Sequence, residues 1–182
     1  KNLGDIPTAL EYYHKSLKNL EDINDKKGIG YSLNNIAFIY DNQDDITKAL
    51  EYYKRSLKIQ EEIKDKEGIA TSLNNIGGIY YKKKELSVAL DYWVKSLGIR
   101  EEINDKEGLA TTLNNIGGIY NNQGSAENLG VIEKNTLLAK ALEYYHKSLK
   151  IKEEIHDKKG IATALNNIGS VMLKLGQIPG AL

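Results

Sequence analysis

Residues 68–80 read GIATSLNNIGGIY. Ile69, Leu73, Ile76 and Tyr80 fall at i, i+4, i+7 and i+11, one stripe of a 3.6-residue period, which predicts an amphipathic helix. Two adjacent asparagines, Asn74 and Asn75, sit inside it, although asparagine is a mediocre helix former. The stretch recurs. GIGYSLNNIAFIY starts at Gly28, GLATTLNNIGGIY at Gly108 and GIATALNNIGSVM at Gly160. The starts are 40, 40 and 52 residues apart.

A second block keeps the same step. ALEYYHKSL starts at Ala9, ALEYYKRSL at Ala49, ALDYWVKSL at Ala89 and ALEYYHKSL at Ala141. The last interval therefore carries a 12-residue insertion between Tyr120 and Ala141. This block is helical too, with Leu10, Tyr13, Leu17 and Leu20 at i, i+3, i+7 and i+10. Asp25, Asp65, Asp105 and Asp157 stand where each first-type helix should begin, as N-caps accepting from free amides. Asn24 and Asn104, just before two of them, suit a left-handed helix end; Lys64 and His156 hold the same place in the other two. Pro7 and Pro179 suit a helix's first turn.

The chain thus reads as eight helices of two kinds, A with the asparagine pair and B with the tyrosine pair. The B helices are expected near 7–23, 47–63, 87–103 and 139–155. The A helices are expected near 26–41, 66–82, 106–122 and 158–175, in one solenoid over 1–182. Each helix pair leaves an apolar face open, so the pairs must stack to bury it. The insertion at 124–135 is expected to protrude as a loop, and disorder is the alternative.

Composition narrows the function. Lys+Arg and Asp+Glu both total 25, so the net charge is zero. A surface built to neutralise phosphates needs clustered cations, which argues against nucleic acid. No stretch approaches a membrane span. The chain has no cysteine, which is compatible with a cytoplasmic setting. Three scattered histidines give no zinc spacing, no cofactor motif is present, and no acid, base and nucleophile cluster. The start, KNLGDIPTAL, lacks a signal-peptide core and an initiator Met, and is expected to be a piece of a longer protein.

The pattern resembles the tetratricopeptide repeat. Gly77, Tyr80, Ala89, Trp93 and Ser96 match its small and aromatic positions, as do Ala37, Tyr40, Ala49, Tyr53 and Ser56. Gly117, Tyr120, Ala141, Tyr145 and Ser148 follow, then Gly169, Met172 and Ala181. The period is 40 rather than the family's usual 34, and the proline that usually ends helix B is missing. This long-period form resembles the repeats of kinesin light chains, of Pins/LGN-type adaptors and of bacterial Rap-type and sensor-kinase regulators. The resemblance implies an all-α, right-handed α-solenoid of stacked antiparallel helix pairs, with the A helices lining a concave groove. It also implies a non-enzymatic scaffold for a protein or peptide ligand, as the regulatory part of a larger bacterial signalling protein.

The groove residues expected on that basis are Tyr31, Asn35 and Phe38, then Thr71, Asn75, Gly78 and Tyr81. Thr111, Asn115 and Gly118 continue the row, followed by Thr163 and Asn167. A carboxamide carries a donor and an acceptor side by side, matching an extended peptide backbone. The second asparagine of each pair is expected to meet ligand and the first to serve the scaffold. The alternative is an amide ladder that only fixes inter-repeat register. No Lys or Arg sits among these positions, which argues against a two-lysine carboxylate clamp. Two other roles stay open: a structural module that assembles head to tail through its terminal helices, and an RNA-binding helical repeat, which would need a basic groove.

Overall fold

The protein is described from a computed structural model covering residues 6–176. Those residues form eight α-helices and no strand: α1 Ile6–Asp22, α2 Lys26–Asn42, α3 Ile46–Glu62, α4 Lys66–Lys82, α5 Leu86–Glu102, α6 Lys106–Gly124, α7 Val131–Glu154 and α8 Lys158–Gly176. Odd-numbered helices carry the tyrosine pair and even-numbered ones the asparagine pair. Pro7 lies in the first turn of α1, whereas Pro179 and Ala181 lie outside the described residues. The chain divides into two compact units, Lys1–Ile99 and Arg100–Leu182, with the boundary inside α5.

One turn design recurs at the helix junctions. Asn24 has φ 56°, and Asp25 N–H donates to Leu20 C=O while Asn24 N–H donates to Glu21 C=O. This double bond closes a helix C-terminus around a left-handed residue. The same left-handed geometry falls on Asp44, Lys64, Lys84, Asn104 and His156. The acidic residue that follows, Asp at every one of these junctions but Glu85 before α5, then leads into the next helix. Asp25 Oδ1 accepts from Gly28 N–H at 3.0 Å, and Asp105 and Asp157 accept from Gly108 and Gly160 at 2.9 Å each. Asp45 caps α3 in the same way through Lys48 N–H. Three residues separate consecutive helices everywhere but at the longer α6–α7 link, and within each unit neighbouring helices run antiparallel.

In the first unit, α2 packs on α3 and α3 on α4. The core there joins Ala37, Ala49, Tyr53, Ile76 and Ile79, with a second cluster of Leu17, Ile29, Leu33 and Ile36. Each fully buried large side chain contributes about 1.5–3 kcal/mol. In the second unit Leu138, Ala141, Tyr145, Ile168 and Val171 form the core between α6, α7 and α8. Tyr53, Trp93 and Tyr145 are buried at the A–B interface. Their neighbours Tyr52, Tyr92 and Tyr144 stack on Tyr40, Tyr80 and Tyr120 of the preceding A helix, with ring centres 5.5 Å apart in each pair. These tyrosines tie A to B within a repeat, and Tyr52 also meets His14 of α1 edge-on, with ring centres 6.1 Å apart.

The inserted segment is shorter as a loop than its sequence suggests. Gly124 still belongs to α6, and α7 already starts at Val131, making it 24 residues long. Leu138, the repeat equivalent of Ile46 and Leu86 at the start of an ordinary B helix, is buried, and a side chain on Gly124 would meet its Cγ at 2.9 Å and the Leu137 Cβ at 3.2 Å. The turns that extend α7 before it carry Val131 and Ile132, both exposed.

Candidate partner-binding face

The A helices hold all twelve groove positions read from the sequence, and none of the twelve is buried. On α2, Asn35 and Phe38 are exposed and Tyr31 is half-buried; Phe38 is 56% exposed, high for an aromatic ring. On α4, Thr71, Asn75, Gly78 and Tyr81 are half-buried. A methyl group on Gly78 would meet nothing within 4 Å, so a ligand main chain has room there. Tyr81 is less free than expected, because its ring lies 5.6 Å from that of Trp93. On α6, Thr111 is exposed and Asn115 and Gly118 are half-buried; on α8, Thr163 is exposed and Asn167 half-buried.

The asparagines are joined to each other. Asn75 Nδ2 donates to Asn34 Oδ1 at 3.0 Å, and Asn167 Nδ2 donates to Asn114 Oδ1 at 2.8 Å. In both pairs the second asparagine of one repeat reaches the first asparagine of the repeat before it. Asn34 is buried and continues inward, donating to Ser72 Oγ at 2.6 Å and Ser56 Oγ at 3.1 Å. Ser56 Oγ donates in turn to Gly30 C=O, and Ser72 Oγ donates to Gln60 Oε1. Asn34 thus anchors a buried polar network, whereas Asn74 and Asn114 are half-buried and Asn166 is exposed. Asn75 and Asn167, both half-buried, link neighbouring A helices. Lys82 on Asp41 and Lys174 on Asn121, at 2.6 and 2.7 Å, tie the far ends of the same helices.

Sequence reading missed one position. Leu20, Gln60, Arg100 and Lys152 occupy the same place on successive B helices, five residues before the capping Asp. The apolar stripe that ends in Leu20 becomes polar in every later repeat, and that departure was the available signal. Gln60, Arg100 and Lys152 are all buried. Arg100 bonds Asp105, and Lys152 Nζ donates to Asp157 Oδ2 at 2.7 Å. Gln60 Nε2 and Asp65 Oδ2 remain buried with no partner. The conserved-looking glycine of each A helix makes space for this side chain. A methyl on Gly28 would lie 2.6 Å from Leu20, and one on Gly68 would lie 2.8 Å from the Gln60 amide.

A cavity of about 230 Å³ opens in the second unit. Thr111, Asn114 and Thr163 line its A-helix side, Ser148 and Lys152 its floor, and Asp157, Lys159 and Gly160 its end. Two cations therefore reach a face whose own positions carry none, one from helix B and one from the first turn of α8. Lys152 holds the Asp157 carboxyl below the usual carboxylate range, helped by the Gly160 amide. Burial, then the Asp65 and Glu67 charges, push the Tyr31 phenol up. Among the described residues no cluster of His, Asp and Glu has the makings of a metal site, and no helix is long and apolar enough to cross a membrane.

Two family models described as Tetratricopeptide repeat match residues 1–67 and 69–107, together more than half of the chain. The chain belongs to the tetratricopeptide repeat family. Solved structures give the same answer for the fold. BtubC (BKLC) from P. vanneervenii is 18% identical, with a TM-score of 0.64 over 95% of this chain and 75% of that one. A P. anserina kinesin-light-chain protein with nearly identical tetratricopeptide-like repeats is 14% identical, with a TM-score of 0.59 over 94% and 89%. The apo form of RapI is 20% identical, with a TM-score of 0.59 over 95% of this chain and 64% of RapI. No curated protein matches the chain. In fold the described residues are thus similar to kinesin-light-chain and RapI structures, with helices stacked in pairs.

Proposed function

We propose that this protein is a non-enzymatic scaffold whose A helices hold an extended segment of a partner protein, as the regulatory part of a larger bacterial signalling protein. The observation that carries the binding reading is the first unit's A-helix face. Exposed Phe38 and Asn35 stand beside half-buried Tyr31, Thr71 and Asn75, and the open position at Gly78 leaves space for main chain. Aromatic anchors carry much of the energy of such contacts, and flanking amides pair with backbone. The test is selection of random 12-residue peptides on the chain, followed by affinity measurement with Asn35→Ala and Phe38→Ala. Both side chains are exposed, so melting temperature should hold while affinity falls at least about tenfold. Absence of enriched peptides, or unchanged affinity in both variants, overturns the reading.

A second reading, head-to-tail association of copies, is favoured by a match between α1 and α8. Gly77 and Gly117 each face an aromatic ring, Trp93 or Tyr145, whereas Gly169 on α8 has nothing within 4 Å among the described residues and is exposed, as is Met172. Tyr12 on α1 is 66% exposed, while its equivalents are stacked. Residues 9–17 repeat residues 141–149, the part of α7 that packs on α6. The α1 of a second copy therefore has the surface that an A helix receives.

A further inference from the structure

The cavity of the second unit has a filled counterpart in the first. Its lining residues Thr111, Asn114, Ser148, Lys152 and Asp157 are the repeat equivalents of Tyr31, Asn34, Ser56, Gln60 and Asp65. In the first unit Tyr31 extends a phenol to the neighbourhood of Asp65 and Glu67, and Lys27 Nζ lies 5.8 Å from its ring centre. In the second unit a threonine replaces that tyrosine. Thr111 Oγ1 turns back to donate to Glu107 C=O at 3.0 Å, and the space ahead of it is empty.

Three further replacements prepare the space for an outside group. Ser72, which accepts from Asn34 at 2.6 Å, is replaced by Ala164, so Asn114 Nδ2 has no acceptor among the described residues. Glu67 is replaced by Lys159 and Gln60 by Lys152, while the capping aspartate is kept. A ring oxygen arriving here would meet ammonium and amide donors where Tyr31 meets carboxylates. The volume, about 230 Å³, is below that of drug-sized pockets and suits one ring. A tyrosine combines that ring with a polar tip, the arrangement a polar-floored pocket with threonine walls can satisfy.

We propose that this cavity receives a tyrosine side chain of the bound partner segment, with its hydroxyl held among Asn114, Lys152 and Asp157. The proposal rests on the reading that the A-helix face takes a segment, but its test does not need one. The probe is p-cresol, the tyrosine side chain alone, titrated into the isotope-labelled chain and followed by NMR. Saturable shifts are expected at the amides of Gly160, Thr163 and Ala164. Toluene, without the hydroxyl, should bind at least about tenfold more weakly, the factor one hydrogen bond to a charged group supplies. Thr111→Tyr rebuilds the first unit's arrangement and should weaken p-cresol at least about tenfold with the melting temperature kept. Thr163→Leu, at an exposed lining position, is the second block should the first disturb folding.

Unsaturable shifts, or p-cresol binding unaltered in the folded blocking variant, overturn the pocket. Saturable p-cresol binding with no selected peptides leaves the pocket standing and removes the segment-binding reading. Selected peptides whose affinity ignores the blocking variant remove the pocket alone.

Discussion

Gly77 and Trp93 are matched in size. A methyl group on Gly77 would lie 2.6 Å from two atoms of the indole, and the indole is fixed by its bond to Asn74 C=O at 2.9 Å. The first repeat solves the same contact with Ala37 and Tyr53, both buried. Gly77→Ala should therefore destabilise by about 1–3 kcal/mol, an overpacking cost that outweighs the roughly 1 kcal/mol alanine gains in a helix. The double variant Gly77→Ala/Trp93→Tyr rebuilds the first repeat's pair and should recover most of the loss in urea unfolding. Equal losses in the single and double variants would show that the ring does not set the glycine. This pairing was legible in the sequence as small and aromatic positions, because both partners recur at fixed spacing. The polar series Gln60, Arg100 and Lys152 was not read, because a single buried polar residue in a helix looks like a solvated one until its neighbours are placed.

At the scale of the element, each A helix is anchored through its first turn. Asp157 caps α8 through Gly160 and also binds Lys152, and the Lys152 contact is the larger cause of its lowered pKa. A folded-state pKa below the unfolded one gives stability that is complete above the ordinary carboxylate value and is lost as pH falls through the folded pKa. Unfolding midpoints should therefore drop as pH falls below the ordinary carboxylate value of about 4. Asp157→Asn keeps a capping oxygen but loses the charge, so it should be less stable at pH 7 and show a shallower acid decline. Parallel declines in the two proteins would place the acid sensitivity elsewhere. Periodicity and capping chemistry gave all eight helices, since both are local. The inserted segment leaves a shorter loop than its spacing suggests because α7 already begins at Val131, and its exposed Val131 and Ile132 give no apolar stripe that would mark those turns as helix.

At the scale of the whole molecule, stacked repeats bury one another's faces, so a face left open acts between molecules. Tyr12, Gly169 and Met172 are such positions. Sedimentation equilibrium should show mass rising with concentration, and Met172→Asp should abolish the rise while leaving helix content unchanged. A constant monomer mass across the range, or association indifferent to that variant, would sink the head-to-tail reading. What the sequence determined alone was the helices, their alternation and their antiparallel stacking, because an apolar stripe every 3.6 residues and the caps at most junctions act within one or two turns. The pairing of Asn34 with Asn75, the buried lysine and the cavity over Thr111 were decided only by tertiary structure. Those features join residues some forty positions apart, and whether an amide or ammonium there meets water, a partner or empty space depends on what the neighbouring repeat brings beside it.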